Sequence, residues 1–202
     1  MPRVGFRVAT VSVSAILALA SLTACGPAPW TGPQAEPEAN ATGAVAAPVP
    51  NDLSSGSTQR DLQAGAVAAT VDYWSDLSMD RWTAGAIKPI SISMVTTVTP
   101  DDGQKVYLQK ASMIAVPTGP AETFEALEAQ ADAATVSPGY LVLSPYSYSQ
   151  TFNVGAVPAG ATSVTVQFTF DFLVQTTPTS NEFAKQTATD VLTIAIAAAS
   201  EG

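Results

Sequence analysis

The clearest pattern along the chain is the alternation over residues 163–175. Val164, Val166, Phe168, Phe170, Phe172 and Val174 take turns there with Thr165, Gln167, Thr169, Asp171 and Leu173. A period of two with one apolar and one mainly polar face predicts a half-buried strand. Such alternation belongs to antiparallel sheets with one solvated side, because buried parallel strands read as continuous apolar runs. Residues 89–99 repeat the signal, with Ile90, Ile92, Met94 and Val98 on one side and Ser91, Ser93, Thr97 and Thr99 mostly opposite. Pro100-Asp101-Asp102-Gly103 follows, and a polar turn ending in glycine between two such runs predicts a hairpin into residues 105–116. Further strands are expected within 66–74, 140–143, 146–154 and 188–197, the last with Leu192, Ile194 and Ile196 in alternation. Tyr146 and Tyr148 share a side with Phe152 and Val154, which places them in the core or at its edge.

About seven short strands punctuated by Pro, Gly and Asn turns predict a mainly β fold, an antiparallel immunoglobulin-like β-sandwich. The Cys…Trp…Cys signature of true immunoglobulin domains is absent, since the chain has one cysteine. One stretch departs from the pattern. Residues 121–134 (AETFEALEAQADAA) are rich in helix formers, with Phe124, Leu127 and Ala131 at helical spacing, and predict one short inserted helix. Its acids Glu122, Glu125, Glu128 and Asp132 would then share a solvated face.

The N-terminus follows different rules. Arg3 and Arg7 precede an uncharged segment over residues 8–22, which reads as the charged and apolar regions of a secretory signal. A spanning helix needs roughly 20 apolar residues, and Gly26-Pro27 stops any helix soon after the segment. The segment closes on Leu22-Thr23-Ala24-Cys25. This arrangement resembles the lipobox of bacterial lipoprotein precursors, a Leu-[Ala/Ser/Thr]-[Gly/Ala]-Cys pattern, at all four positions. The resemblance implies a thioether lipid on Cys25, cleavage between Ala24 and Cys25, and a further acyl chain on the new amine. It extends over the first 25 residues only. Each buried methylene contributes about 0.8 kcal/mol, and stable anchoring takes two membrane signals; acyl chains on one cysteine supply them without a transmembrane helix. The implied location is the extracytoplasmic face of the cell membrane.

Residues 25–57 hold the lipidated cysteine and a Pro/Ala-rich stretch with six prolines and three acids, which reads as a disordered tether. At this length a flexible chain reaches roughly 30 Å and a polyproline-like one about 100 Å. Residues 58–202 suffice for one domain with a core.

Charge and chemistry narrow the function. Loss of residues 1–24 removes Arg3 and Arg7 and no acid, leaving six basic residues against seventeen acids, so the net charge moves from −9 to −11. Nucleic acid needs a basic footprint and is not an expected partner. The chain contains no histidine, so Ser-His-Asp and Cys-His nucleophiles and imidazole-based metal triads are excluded. No phosphate loop, Walker lysine or dinucleotide fingerprint appears, and no cofactor is expected. Carboxylates are what is left. Asp72, Asp76, Asp80 and Asp171 are candidates for a glycan hydrolase, which needs two acids across a cleft. The spacing of Asp72, Asp76 and Asp80 also suits oxygen ligation of calcium, without the order of a calcium loop. Tyr73, Trp74 and Trp82 are candidate ligand-binding residues, since aromatics flanked by acids stack on sugars or anchor protein partners. Burial in the core is the competing reading for each. Asp171, if buried, requires a cation such as Lys88, Lys110 or Arg81.

The expected protein is therefore a lipid-anchored, non-enzymatic binding or structural β-sandwich whose partners are the membrane through Cys25 and an envelope protein or glycan. A carbohydrate- or cell-wall-binding module is the alternative, and a carboxylate-dependent glycan hydrolase a third reading.

Overall fold

The structure, a computed structural model, describes residues 48–198. The lipobox residues Ala24 and Cys25 and most of the expected tether lie outside the described residues. Two antiparallel sheets make up the domain. The first has the order β1-β2-β3-β7, formed by β1 (Ser57–Ala64), β2 (Val67–Trp74), β3 (Lys88–Val98) and β7 (Tyr148–Val154). The second has the order β5-β4-β8-β9, formed by β4 (Val106–Thr118), β5 (Gln130–Ala133), β8 (Ser163–Gln175) and β9 (Phe183–Ala195), with the short β6 (Tyr140–Leu141) also on β4.

The alternating apolar residues do what their period requires. Val164, Val166, Phe168, Phe170, Phe172 and Val174 of β8 meet Ile90, Ile92 and Met94 of β3 in one core. Rings cross between the sheets at Tyr73–Phe168, 5.2 Å between centroids, and Phe152–Phe168, 5.7 Å. Full burial of a side chain of this size contributes about 1.5–3 kcal/mol, so this cluster dominates the stability of the domain.

Four expectations change. Residues 121–134 form no helix: Phe124 N–H donates to Pro117 O, Leu127 N–H to Ala115 O, and β5 pairs with Lys110–Met113 of β4. Helix propensity is a weak preference, and an uncovered strand edge with orphan backbone groups outweighs it. Pro100–Gly103 is a turn, with Gly103 at φ +91°, but it joins strands of different sheets and is not a hairpin. Tyr148 is buried as expected, whereas Tyr146 precedes β7 and is 58% exposed. The folded part also starts before residue 58. Asp52 N–H donates to Thr193 O (2.8 Å), Thr193 N–H donates to Asp52 Oδ2 (2.7 Å), and Leu53 is fully buried.

Two charges are buried by different means, Asp171 on the outer face of the second sheet and Lys88 in the interior. Asp171 accepts a hydrogen bond from Thr187 (2.8 Å) and pairs with Lys185 (3.2 Å) and Lys110 (3.5 Å), so of the expected cations only Lys110 serves it. Burial works to raise the Asp171 pKa, but the Thr187 hydroxyl and the two ammonium groups outweigh it and hold the carboxyl below its ordinary value. Lys88 is fully buried, and among the described residues no carboxylate pairs with it. Its ammonium donates to the carbonyls of Ala86 (2.7 Å), Gly155 (2.8 Å) and Thr83 (3.2 Å). Burial pulls its pKa below the ordinary lysine value.

Candidate functional site

The aromatic residues singled out above do not form a surface. Tyr73 points inward from β2 and Trp82 from the loop after it, and both are fully buried. The indole of Trp82 donates to Leu77 O and Ser75 Oγ, each at 3.2 Å. Trp74 alone faces outward, half-buried, in a row with Ser57, Ser91 and Thr151. With two of the three rings in the interior, the stacking platform drawn from the 72–82 segment is lost. The candidate carboxylates are dispersed as well. Asp72 lies on the outer face of the first sheet, where it accepts from Gln59 (2.7 Å), and Asp171 belongs to the second sheet. Among the described residues, no three His, Cys, Asp or Glu side chains are grouped to hold a metal ion.

The two exposed tyrosines, Tyr140 and Tyr146, instead both lie in the chain between β5 and β7. The edge of β4 opposite β8 is covered in succession by Phe124, Leu127, β5, Ala134 and β6, from Pro117 down to Tyr107. Gly139 permits the last step, because a Cβ there would collide with Leu108 O. This succession spans roughly 30 Å at the rise of a strand. Two side chains then fasten it to β7 of the other sheet. Gln130 acts as a strand residue in miniature, accepting from Asn153 N–H (3.1 Å) and donating to Asn153 O. Asp132 accepts the Tyr148 hydroxyl at 2.7 Å and the Tyr140 hydroxyl at 3.4 Å.

Around that carboxylate the Tyr140 and Tyr148 rings lie 5.5 Å apart, tilted by 31°. The Tyr148 pKa is raised well above the ordinary phenol value, first by burial and then by the hydrogen bond and charge of Asp132; the Tyr140 pKa moves the same way. Nearby in the chain, Val136 is 73% and Tyr140 36% exposed. Glu122, Glu125 and Glu128 are exposed on the segment leading into β5. The nearest cation in register is Lys110, opposite Ala133, and its ammonium is held by Asp171.

No protein-family model and no curated protein matches this chain. The edge must therefore be read from its own chemistry. Rigid aromatic rings, Ser, Pro and Gly in the connection between β5 and β7, and carboxylates that form no salt bridge among the described residues make a surface suited to recognition. None of Asp132, Tyr140 or Tyr146 was a candidate in the sequence. The detectable signal was the run SPGYLVLSPYSYS over 137–149, whose tyrosines alternate with turn formers.

The opposite edge uses the same residue types differently. Tyr73 of β2 and Asp190 of β9 meet between the sheets, and the Tyr73 hydroxyl and Asp190 Oδ2 are buried without a hydrogen-bond partner among the described residues. Burial first, and then the charge of Asp190 and its approach to the hydroxyl as an acceptor outside good hydrogen-bond geometry, raise the Tyr73 pKa far above the phenol value, with Arg60 acting in the other direction. Arg60 pairs with Asp52 at 2.7 Å, and Gln186 Oε1 accepts from Ala66 N–H at 3.1 Å.

Proposed function

We propose that this chain is a lipid-anchored extracytoplasmic protein whose immunoglobulin-like β domain binds a partner or serves as an envelope component, without catalysing a reaction. The observation that carries the reading is Leu22-Thr23-Ala24-Cys25 at the end of a charged-then-apolar N-terminus, followed by a proline-rich spacer. Lipid on Cys25 would hold the domain at the membrane, and the spacer would lift it clear of the headgroups. Dispersal of Asp72 and Asp171 onto different sheets supports binding over hydrolysis. The inward positions of Tyr73 and Trp82 support a partner other than a glycan stacked on that segment.

Metabolic labelling with a fatty-acid analogue tests the anchor. The wild-type protein takes up label and sediments with membranes, and Cys25→Ala does neither. Label that persists in Cys25→Ala overturns the proposal.

A further inference from the structure

We infer that the β5–β7 edge is a docking surface for a cationic, extended polypeptide segment. The inference deepens the binding reading of the domain and rests on it, but not on the lipid anchor.

Three observations converge on this partner. The first is charge. Glu122, Glu125 and Glu128 are exposed along the edge and Asp132 lies at its centre, while Lys110, the cation nearest in register, is engaged by Asp171. In a chain of net charge −9 this edge draws lysine- and arginine-bearing segments and repels acidic ones. The second is the pair of rings 5.5 Å apart over the Asp132 carboxylate. A guanidinium or ammonium group is attracted to the faces of such rings and to the acid they hold. Tyr146 and Val136, both exposed, lie in the connection between β5 and β7 and offer apolar surface of the kind on which the stem of a lysine or arginine packs. The third is shape. The strip is long because it follows one strand, and at roughly 30 Å it accommodates about nine residues of extended chain. β5 is the terminal strand of its sheet, so an incoming segment also meets backbone groups of the kind that pair in strand addition.

The outer face of the first sheet provides an internal control. Asp61 and Asp72 lie there, held by Thr70 (2.8 Å) and Gln59 (2.7 Å), without exposed tyrosines beside them. Removal of two charges from either place changes the net charge equally.

The experiment is fluorescence anisotropy of fluorescein-labelled octa-arginine against the full chain in detergent, with octaglutamate and a Gly-Ser octapeptide as control probes. Octa-arginine binds and the controls do not. Glu125→Gln/Glu128→Gln weakens binding at least fivefold, Tyr140→Ala/Tyr146→Ala at least threefold at unchanged charge, and Asp61→Asn/Asp72→Asn less than twofold. Circular dichroism melts verify that each variant is folded, and all six positions lie at or near the surface. Equal weakening by the two charge-removing pairs would show that the probe reads net charge alone and would overturn the inference. Unchanged binding in the tyrosine variant, or no binding of octa-arginine to the wild type, overturns it as well. Fatty-acid labelling at Cys25 is unaffected by any of these results, so the two proposals fail separately.

Discussion

The two sides of the two-sheet domain each bring a tyrosine hydroxyl toward an aspartate, and they do so to opposite ends. At the β1–β9 edge Tyr73 and Asp190 point inward and leave a hydroxyl and a carboxylate oxygen buried without partners. At the β5–β7 edge Tyr148 and Asp132 form a 2.7 Å hydrogen bond beside the exposed Tyr140. A buried polar group without a partner costs roughly 1–3 kcal/mol, and burial of the Tyr73 ring against Phe168 and the rest of the core offsets it. An inward-pointing charge on a terminal strand also discourages pairing with other chains. The same two residue types thus leave polar atoms unpaired in the interior on one side and pair them beside an exposed ring on the other.

The largest break in this comparison comes from deleting the rings. Tyr73→Ala should cost about 3–5 kcal/mol in denaturant unfolding, the range for emptying a buried aromatic site. Tyr148→Ala should cost clearly less, because its ring borders the exposed Tyr140.

Alkaline pH comes next. Both buried tyrosines have folded pKa values above the unfolded value of about 10, so the folded state holds protons that the unfolded chain releases. Their contribution is fully present below pH 10 and is lost as pH rises above it. For Tyr73 the loss amounts to about 1.4 kcal/mol per pH unit. Urea unfolding of Tyr73→Phe at pH 9 and pH 11 should show a shallower decline than wild type, and an unchanged decline would refute the linkage.

Removal of the hydroxyls alone should separate the edges by sign. Tyr73→Phe eliminates an unpaired buried group and should leave stability unchanged or raise it by up to about 1 kcal/mol. Tyr148→Phe forfeits a hydrogen bond to a carboxylate and should lower it by about 1 kcal/mol. Thermal melts at neutral pH read both.

The smallest effects belong to the amide bridges. Gln130→Ala frees Asn153, and Gln186→Ala frees Ala66 N–H. Each should cost about 0.5–1 kcal/mol. Hydrogen exchange should accelerate at Asn153 in the first variant and at Ala66 in the second, and a crossed response would break the assignment of each bridge to its own edge.

Much of the fold was legible where one face of a strand is buried. β8 appears in the sequence because its inward residues from Val164 to Val174 are uniformly apolar, β3 because Ile90, Ile92, Met94 and Val98 outweigh Lys88 and Thr96 in the same row, and the end of β9 because Leu192 and Ile194 are apolar. β1 (STQRDLQA) escaped notice, since a terminal strand buries little and carries polar residues on both faces. Residues 121–134 misled for a related reason. Their Phe124 and Leu127 satisfy helical spacing, yet the backbone partners offered by β4 lie far away in sequence and leave no local trace. Lys110 could be named as a partner of Asp171, whereas Lys185 could not, because the β8–β9 register that brings it there is unknown until the strands are paired. The candidate site was the least legible part. Asp132 was concealed within the expected helix, and its meeting with Tyr148 depends on β5 joining one sheet and β7 the other.

Lys88 carries a consequence of another kind. Carbonyl oxygens gathered around a positive centre are what a bound metal ion ordinarily provides for, and here the centre is attached to the chain at the start of β3. A free ion is lost on dilution or to a chelator. A covalently tethered ammonium cannot be diluted or chelated away from its carbonyls, and its burial means that amine-reactive reagents should modify Lys105, Lys110 and Lys185 while sparing Lys88.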